Sequence, residues 1–198
     1  MTNYHQHITE HQDVIARDLR LLTHLIPHAR RILDIGCGTG AFLGHVSPEI
    51  TAVGVELSLS AAQACQAQRL SVCIADGNRL PFSGGAFDVV RAKELLEHLL
   101  DPLSLLKEMR RVLDDRGVIV VHVPTNYSLF YPIGNFYNDY THIRPFSRFG
   151  LVRVLEDAGF SVIKILGYTS GRNALESIIG NVLAKLLPHT WMAIAKRR

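Results

Sequence analysis

The sequence predicts an α/β fold in which helices cover both faces of a doubly wound, mostly parallel sheet. Two observations support this prediction. Short apolar runs alternate with stretches of helical periodicity, and their spacing is that of βαβ units, whose crossovers are right-handed. No linker-like stretch interrupts the alternation, so residues 1–198 are expected to form a single domain.

Seven apolar runs have the length of strands buried inside a sheet. They cover residues 31–35, 51–56, 70–75, 87–92, 117–123, 160–166 and 191–195. Candidate helices lie at 8–26 and near 40–47, 58–68, 94–113, 147–158 and 172–187. The first belongs to an N-terminal helical region, 1–29. The last is an extra helix before the final strand, which we expect to pack on the sheet or to close the pocket.

Composition places the chain among globular proteins and excludes several functions. Hydrophobic residues make up 47% and charged residues 20%, which is too apolar for a disordered chain. The formal net charge is only +3, without the concentrated positive stripe that nucleic-acid binding needs. A nucleic-acid partner is therefore not expected.

Cysteine usage and hydropathy predict a cytoplasmic protein. The three cysteines have no CxxC spacing, which excludes a disulfide framework and a zinc site of four thiolates and fits a reducing compartment. No apolar run approaches the ~20 residues of a membrane span, and the polar, His-rich start of the chain is unlike a signal peptide.

Residues 124–149 depart from the alternation of strands and helices. The segment has no clean period, contains three prolines and holds eight of the fifteen aromatic residues of the chain. It follows the carboxyl end of a predicted strand, which is the ligand-binding edge of an open α/β sheet. A connection of this length is typical of a binding loop. We predict a substrate lid; the alternative is a small satellite core under a long loop.

A glycine-rich loop follows the first predicted strand. Gly36, Gly38 and Gly40 let the backbone turn tightly and approach a ligand, and the N–H groups of the next helix can bind a carboxylate or phosphate. Glu56 ends the second strand, where it can accept hydrogen bonds from both ribose hydroxyls of a nucleotide. These features alone also fit a dinucleotide-binding fingerprint.

A second carboxylate separates the two possible ligands. Asp76 closes the third strand and can accept a hydrogen bond from an adenine amino group, while Leu57, Leu80 and Phe82 can flank the ring. The Tyr-x-x-x-Lys pair of one class of hydride-transfer enzymes does not occur. In the alternative without a ligand, Asp76 and Glu56 are turn and cap residues.

Several sequence blocks occur together in an order that is specific to one family. They are LDIGCGTG at 33–40, Glu56, Asp76, LPF at 80–82, FDVV at 87–90 and ELLEHL at 94–99. With this set, the chain from 32 to 160 resembles class I S-adenosylmethionine-dependent methyltransferases. The resemblance implies a Rossmann-like sheet of seven strands in the order 3-2-1-4-5-7-6, with the last strand antiparallel, and S-adenosylmethionine as the cofactor.

The resemblance also implies roles for individual residues. Gly36 and Gly38 face the methionine moiety of the cofactor, Glu56 holds its ribose and Asp76 its adenine. The full set that it implies for cofactor binding is Asp34, Gly36, Cys37, Gly38, Gly40, Glu56, Leu57, Asp76, Gly77 and Ala92.

One departure from the family is a pair of cations, Arg91 and Lys93, at the end of the fourth strand. We expect them at the mouth of the site, where they either tune substrate choice or pair with Glu94 and Glu97.

The candidates for the chemistry follow the fourth strand and lie in the lid. Glu94, Glu97 and His98 are spaced i, i+3 and i+4, so on one helix they would share a face, and His142 adds a second imidazole. The pattern resembles that of metal-assisted O-methyltransferases acting on catechol-like quinone precursors or on RNA 3′ ends. Three interpretations stay open: these four residues bind a divalent cation, His98 or His142 acts alone as a general base, or Glu97 and His98 are structural.

The sequence therefore predicts transfer of the sulfonium methyl group of S-adenosylmethionine to an oxygen of a small or medium-sized acceptor. The acceptor is expected to be a glycan, a lipid, a quinone-like compound or a secondary metabolite. An NAD-dependent oxidoreductase and a cofactor-binding protein without turnover are the alternatives. The sequence does not decide between a monomer and a homodimer.

Overall fold

The computed structural model describes residues 12–125, 135–168 and 188–198. Within these ranges the strands are β1 (Arg31–Ile35), β2 (Thr51–Glu56), β3 (Val72–Ile74), β4 (Phe87–Lys93), β5 (Leu113–Pro124), β6 (Phe160–Tyr168) and β7 (Thr190–Arg197). The α-helices are α1 (Gln12–Leu25), α2 (Leu59–Ala67), α3 (Pro102–Val112) and α4 (Arg148–Asp157). In these ranges, no helix combines the length and the apolar character that a membrane crossing requires.

The strands described form one sheet in the order β3-β2-β1-β4-β5-β7-β6. β1 to β5 pair in parallel, and β7 runs antiparallel to both β5 and β6. The predicted fold class, the strand order and the antiparallel last strand are confirmed. The order reverses between β1 and β4, and the carboxyl ends of such a strand pair border a crevice in this class of fold.

The predicted helix at 40–47 is reduced to a 3-10 turn, Leu43–His45. Gly40 has a φ of +84°, which is outside the helical region, and Gly44 interrupts the same window. Because glycine is a poor helix former, the apolar residues of this stretch do not propagate an α-helix.

The predicted helix at 94–113 is also divided. Glu94 has a φ of +49°, in the left-handed region, so the chain turns at the end of β4 instead of entering a helix. A 3-10 turn, Leu96–His98, follows. α3 begins only at Pro102, where the Asp101 side chain accepts hydrogen bonds from two N–H groups of the first turn.

Three predicted features lie wholly or partly outside the described residues. They are the start of the N-terminal helix, part of the aromatic lid at 126–134, and the extra helix at 172–187.

Apolar side chains pack on both faces of the sheet, as predicted. On one face, α3 and α4 contribute buried residues such as Met109 and Leu151 to a cluster with Leu33 of β1. On the other face, Val14 and Ile15 of α1 join a separate cluster. The helices thus cover the sheet on both sides and leave the carboxyl edge of its strands as the place for a site.

A group of charged side chains is buried near the carboxyl ends of β1 and β4. Arg91 Nη1 lies 2.9 Å from Asp34 Oδ1, and Arg91 Nε lies 3.2 Å from Asp18 Oδ2 of α1. The guanidinium carbon also lies 4.2 Å from the centre of the Phe42 ring. The expectation that Arg91 stands at the mouth of the site is wrong, because its side chain is only 2% exposed and two carboxylates pair with it.

The same group ties α1 to β5 and β6. His122 Nε2 lies 3.0 Å from Asp18 Oδ2, and His122 Nδ1 lies 3.0 Å from the Tyr168 hydroxyl. Burial alone would raise the pKa of Asp18, but its contacts with His122, Arg91 and Arg17 outweigh burial and lower the pKa to about 2. Asp18 is therefore ionised at neutral pH and holds α1 against the sheet through charge.

Arg91→Met tests how much this buried group stabilises the fold. We expect the free energy of unfolding to fall by about 3–5 kcal/mol, because the substitution leaves the buried Asp34 carboxyl group without its arginine and removes one of the partners of Asp18. Urea denaturation at pH 7 measures the change. Arg153→Met is the matched control: this exposed arginine pairs with Asp157 on the surface of α4, and its loss should cost less than about 1 kcal/mol. Equal effects of the two substitutions would contradict the assignment.

Candidate active site

The loop after β1 adopts a backbone that glycine permits and other residues resist. Gly36, Gly38 and Gly40 have φ values of +69°, +54° and +84°. The N–H groups of Gly36 and Cys37 both donate to the Val55 carbonyl, at 2.8 and 3.2 Å. These bonds hold the loop against the end of β2, where the predicted ribose-binding carboxylate lies.

Glu56 at the end of β2 connects this loop with α2. Its Oε2 accepts a hydrogen bond from Gly38 N–H at 2.8 Å, and its Oε1 accepts one from Ser58 N–H at 2.9 Å. Ser58 is the N-cap of α2. A carboxylate oxygen has two lone pairs, so each oxygen of the half-buried Glu56 can accept one further hydrogen bond. That capacity matches the two hydroxyls of a ribose.

Asp76 lies two residues beyond β3, near the same edge. Its side chain is exposed, and its Oδ1 accepts hydrogen bonds from the backbone and side-chain nitrogens of Asn78 at 2.9 and 3.1 Å. Leu57, which follows Glu56, is apolar and yet 73% exposed, so it offers a surface for an aromatic ring. Leu80 is instead buried in the core and is not available to flank a ligand.

Four predicted cofactor residues do not offer a free side chain. Ala92 is fully buried, and a Cβ on Gly77 would come within 2.9 Å of Leu105, so both positions serve close packing. Burial raises the pKa of the Cys37 thiol, which therefore stays protonated and is not a nucleophile. The carboxyl group of Asp34 is buried and pairs with Arg91.

A small cleft opens between the glycine loop and β4. It is lined by Asp34, Gly36, Cys37, Thr39, Ala41, Arg91 and Lys93. Sequence reasoning identified the first three as cofactor residues and missed the next two, although their place inside or beside the glycine loop was a usable signal. The expectation of a cation at the site is met by Lys93, which is half-buried beside the cleft.

A second group of polar side chains meets beyond the end of β4. One ligand atom each of Glu97, His98 and His142 lies within 4.8 Å of the others. Glu97 and His98 belong to the 3-10 turn after β4, whereas His142 lies in the segment before α4. The Ile143 N–H donates to the Glu97 carbonyl at 2.8 Å and joins the two segments. Three of the four predicted metal ligands are therefore brought together.

Glu94, the fourth predicted ligand, is not part of this group of three. The prediction that Glu94, Glu97 and His98 share one face of a helix is wrong, because Glu94 terminates β4 and donates its N–H to the His122 carbonyl at 3.0 Å. Glu94 nevertheless lies close enough to Glu97 for its charge to raise the pKa of that residue.

Glu97 is a buried carboxyl group for which the described residues supply no hydrogen-bond partner. Its side chain is 0% exposed, and neither oxygen has a hydrogen-bond partner in the part of the chain that the structure describes. Burial raises the pKa of Glu97 well above its usual range, and Glu94 raises it further. A buried carboxylate is costly unless a donor, a proton or a cation compensates it. The two acidic groups thus favour a shared proton or a bound cation.

The two imidazoles add nitrogen donors. His142 Nδ1 lies 2.7 Å from the Phe136 carbonyl oxygen, which can only accept, so Nδ1 carries the proton and Nε2 has the lone pair. The rings of His98 and His142 lie 4.7 Å apart, centre to centre. Burial lowers the pKa of His98, and His142 lowers it further, so His98 is neutral near pH 7. A neutral His98 suits a metal ligand or a general base.

Known proteins resemble this chain in sequence and in fold. A family model described as a methyltransferase domain matches residues 6–165. The crystal structure of a SAM-dependent methyltransferase from Archaeoglobus fulgidus has a TM-score of 0.72 and 29% sequence identity, and the match covers 93% of each chain.

Two curated relatives are larger and differ in their acceptor atom. The malonyl-[acyl-carrier protein] O-methyltransferase of Legionella pneumophila is 26% identical over 145 residues, which cover 68% of this chain and 51% of the relative. The ajmaline N-methyltransferase of Rauvolfia serpentina is 32% identical over 103 residues, which cover 46% of this chain and 35% of the relative. The match thus spans about half or less of these relatives, and their names include both oxygen and nitrogen transfer.

Glu97→Gln tests the cost of the buried carboxyl group. We expect the free energy of unfolding to rise by about 1 kcal/mol or more at pH 8 in the presence of a chelator, because the amide is neutral and can donate to Glu94. Urea denaturation measures the change. Glu108→Gln is the matched control and should lower stability, since Glu108 accepts hydrogen bonds from Arg111 and from the Leu80 N–H. A loss of stability in Glu97→Gln would show that the carboxylate has a partner.

Proposed function

Because this chain belongs to the methyltransferase-domain family and is an S-adenosylmethionine-dependent methyltransferase, we propose that it methylates a hydroxyl oxygen of a small or medium-sized acceptor with the help of a divalent cation. The observation that carries the proposal is the buried Glu97 carboxyl group, which has no hydrogen-bond partner among the residues that the structure describes and lies beside two imidazoles. Family membership argues against the NAD-dependent oxidoreductase.

The carboxyl ends of β1 to β3 support the assignment of the cofactor contacts. The remaining lone pairs of Glu56 suit the ribose hydroxyls, and the exposed carboxylate of Asp76 suits the adenine amino group. The backbone of Gly36 borders the cleft at the point where the methionine moiety is assigned. In each contact, the protein offers either an oxygen that can accept another hydrogen bond or a glycine backbone that carries no side chain.

The donor set beyond β4 fits a divalent cation. One buried carboxylate and two imidazole nitrogens, those of Glu97, His98 and His142, would hold Mn²⁺, Fe²⁺ or Zn²⁺, and a carboxylate also suits Mg²⁺. When bound, such a cation acts as a Lewis acid that favours loss of the acceptor's hydroxyl proton. The negative charge of Glu94 next to Glu97 adds to the attraction for a cation.

The remaining chemical requirement is alignment. Methyl transfer breaks the carbon–sulfur bond of the sulfonium, whose electron pair stays on sulfur, and forms a bond between the methyl carbon and the acceptor oxygen. The hydroxyl proton passes to solvent. Because the leaving group is a neutral thioether, no residue needs to protonate it. The chain therefore contributes mainly by holding cofactor and acceptor in line.

The acceptor class follows from this assignment. A catechol-like quinone precursor, a glycan, a hydroxylated lipid or a secondary metabolite would supply the hydroxyl, and neighbouring hydroxyls would suit a site whose side chains hold a divalent cation. Tyr137 and Tyr140 on the segment that carries His142 are 62% and 92% exposed and suit packing against a planar molecule.

Two acceptors that differ only in the receiving atom test the proposal. The protein is incubated with S-adenosylmethionine, Mn²⁺ and either 3,4-dihydroxybenzoate or 3,4-diaminobenzoate, and products are identified by mass. We expect methylation of the dihydroxy compound. Methylation of the diamino compound alone would contradict oxygen transfer. Cofactor binding without product from any of a panel of phenols, catechols and sugars would favour a binding protein without turnover.

Glu56→Gln tests the ribose assignment. We expect S-adenosylhomocysteine to bind about tenfold more weakly or worse, since loss of hydrogen bonds to a charged group costs roughly 1.5–3 kcal/mol. Isothermal titration calorimetry measures the affinity. Glu49→Gln, which alters an exposed glutamate, serves as the control and should bind normally. Unchanged affinity in Glu56→Gln would place the ribose elsewhere.

Chelation distinguishes a cation from a general base. We expect excess EDTA to abolish methyl transfer and Mn²⁺ to restore it. His142→Ala should weaken Mn²⁺ binding by more than about tenfold while S-adenosylhomocysteine binds normally, because His142 lies in the donor cluster and not beside Glu56. His28→Ala, which removes an exposed imidazole, is the control. Full activity in excess chelator would show that His98 or His142 works without a cation.

A further inference from the structure

A chain of polar groups from outside the donor cluster holds the His98 ring. His98 Nδ1 lies 2.9 Å from Thr141 Oγ1, which lies 2.5 Å from Asp139 Oδ1. The same Oδ1 accepts the Thr141 backbone N–H at 2.9 Å, and this second bond fixes the hydroxyl against the carboxylate. All three side chains are half-buried.

These contacts allow one arrangement of protons. Asp139 Oδ1 already accepts the backbone N–H of Thr141, so this oxygen is an acceptor and the Thr141 hydroxyl donates to it. The single hydroxyl proton of Thr141 therefore points to Asp139. Oγ1 then offers only lone pairs to His98. It follows that His98 Nδ1 carries the ring proton and that Nε2 carries the lone pair.

We propose that Asp139 and Thr141 are positioning residues that fix His98 in the tautomer protonated at Nδ1, so that its Nε2 presents a lone pair to Glu97 and His142. This inference rests on the proposed function, in which that lone pair binds a cation. Phe136 does the same for His142 through its carbonyl group. One segment, 136–142, thus sets the proton position in both imidazoles.

The other tautomer would disable the donor cluster. A free imidazole side chain prefers to carry its proton on Nε2. In this site, a proton there would point toward Glu97 Oε1, 4.0 Å from His98 Nε2, and would occupy the lone pair that a cation needs. Groups that orient a metal-binding histidine in this way typically change metal affinity by about 10–100-fold when removed.

Nitrogen NMR of protein labelled with ¹⁵N-histidine tests the tautomer without any metal. At pH 8 we expect the signals of His98, assigned with a His98→Asn variant, to show protonation at Nδ1. Thr141→Val removes the acceptor, and Asp139→Ala frees the Thr141 hydroxyl to donate to Nδ1, so both variants should move the proton to Nε2. Thr141→Ser keeps the hydroxyl and should keep the original tautomer.

Calorimetric titration with Mn²⁺ gives a second readout. Thr141→Val and Asp139→Ala should weaken Mn²⁺ binding by about 10–100-fold, and Thr141→Ser should restore it. Thr125→Val is the matched control, because the Thr125 hydroxyl donates to the Pro188 carbonyl at 2.7 Å. It should change neither the tautomer nor the affinity. Binding of S-adenosylhomocysteine verifies that each variant is folded.

The outcomes separate this inference from the proposed function. Protonation of His98 at Nδ1 in both Thr141→Val and Asp139→Ala, or unchanged Mn²⁺ affinity in both, overturns the role of the two residues. If the unaltered protein binds no Mn²⁺, the cation is wrong, but the tautomer of His98 in the same variants still decides whether Asp139 and Thr141 position the ring.

Discussion

The guanidinium of Arg91 stabilises the point at which the sheet reverses its strand order. β1 and β4 are neighbours in the sheet but not in the sequence, and their carboxyl ends border the crevice that accepts ligands in this class of fold. Arg91 lies buried there between Asp34 of β1 and Asp18 of α1. Burial of these charges is tolerable because each of them has a direct partner. The charged side chains of Arg91 and Asp34 at the base of the cleft are therefore already paired with each other.

Two glutamates, one at the end of β2 and one in the turn after β4, have opposite environments, and the contrast separates cofactor binding from chemistry. Each oxygen of Glu56 already accepts a backbone N–H and keeps a lone pair for a ligand. Glu97 is more deeply buried and has no hydrogen-bond partner among the described residues, and a second carboxyl group lies beside it. Glu94 has a left-handed backbone, and the imidazoles of His98 and His142 lie close together in the same region. Backbone strain and buried acidic groups that are concentrated at one strand end are typical of a functional site.

The sequence predicts the fold well because hydrophobic runs, glycines and strand-end carboxylates are local signals. The positions of Glu56 and Asp76 follow directly from where β2 and β3 end. The sequence predicts the donor cluster less well, because helical spacing suggested one shared face, whereas Glu94 adopts a backbone that only three-dimensional context stabilises.

Two contacts were not predicted because their partners are far apart in the sequence. Nothing near Arg91 in the sequence reveals that its partners are Asp18 and Asp34, 73 and 57 residues away. Arg91 was therefore expected at the mouth of the site, because arginine is rarely buried unless it is paired. The Thr141 contact with His98 spans 43 residues and was missed for the same reason. The segment itself carried a local signal, since an aspartate two residues before a threonine is typical of a side-chain turn.

The two halves of the candidate site share one rigid element, and this bears on how the reaction is aligned. β4 is hydrogen-bonded on both sides, to β1 and to β5. Its Arg91 and Lys93 border the cleft, and the turn that follows carries Glu97 and His98. The cleft and the donor cluster cannot shift apart without distorting a strand in the middle of the sheet. The Ile143 N–H bond to the Glu97 carbonyl extends this constraint to the segment that carries His142. For a methyl transfer, in which alignment is the main requirement, a common rigid strand provides precision that two independent loops would not.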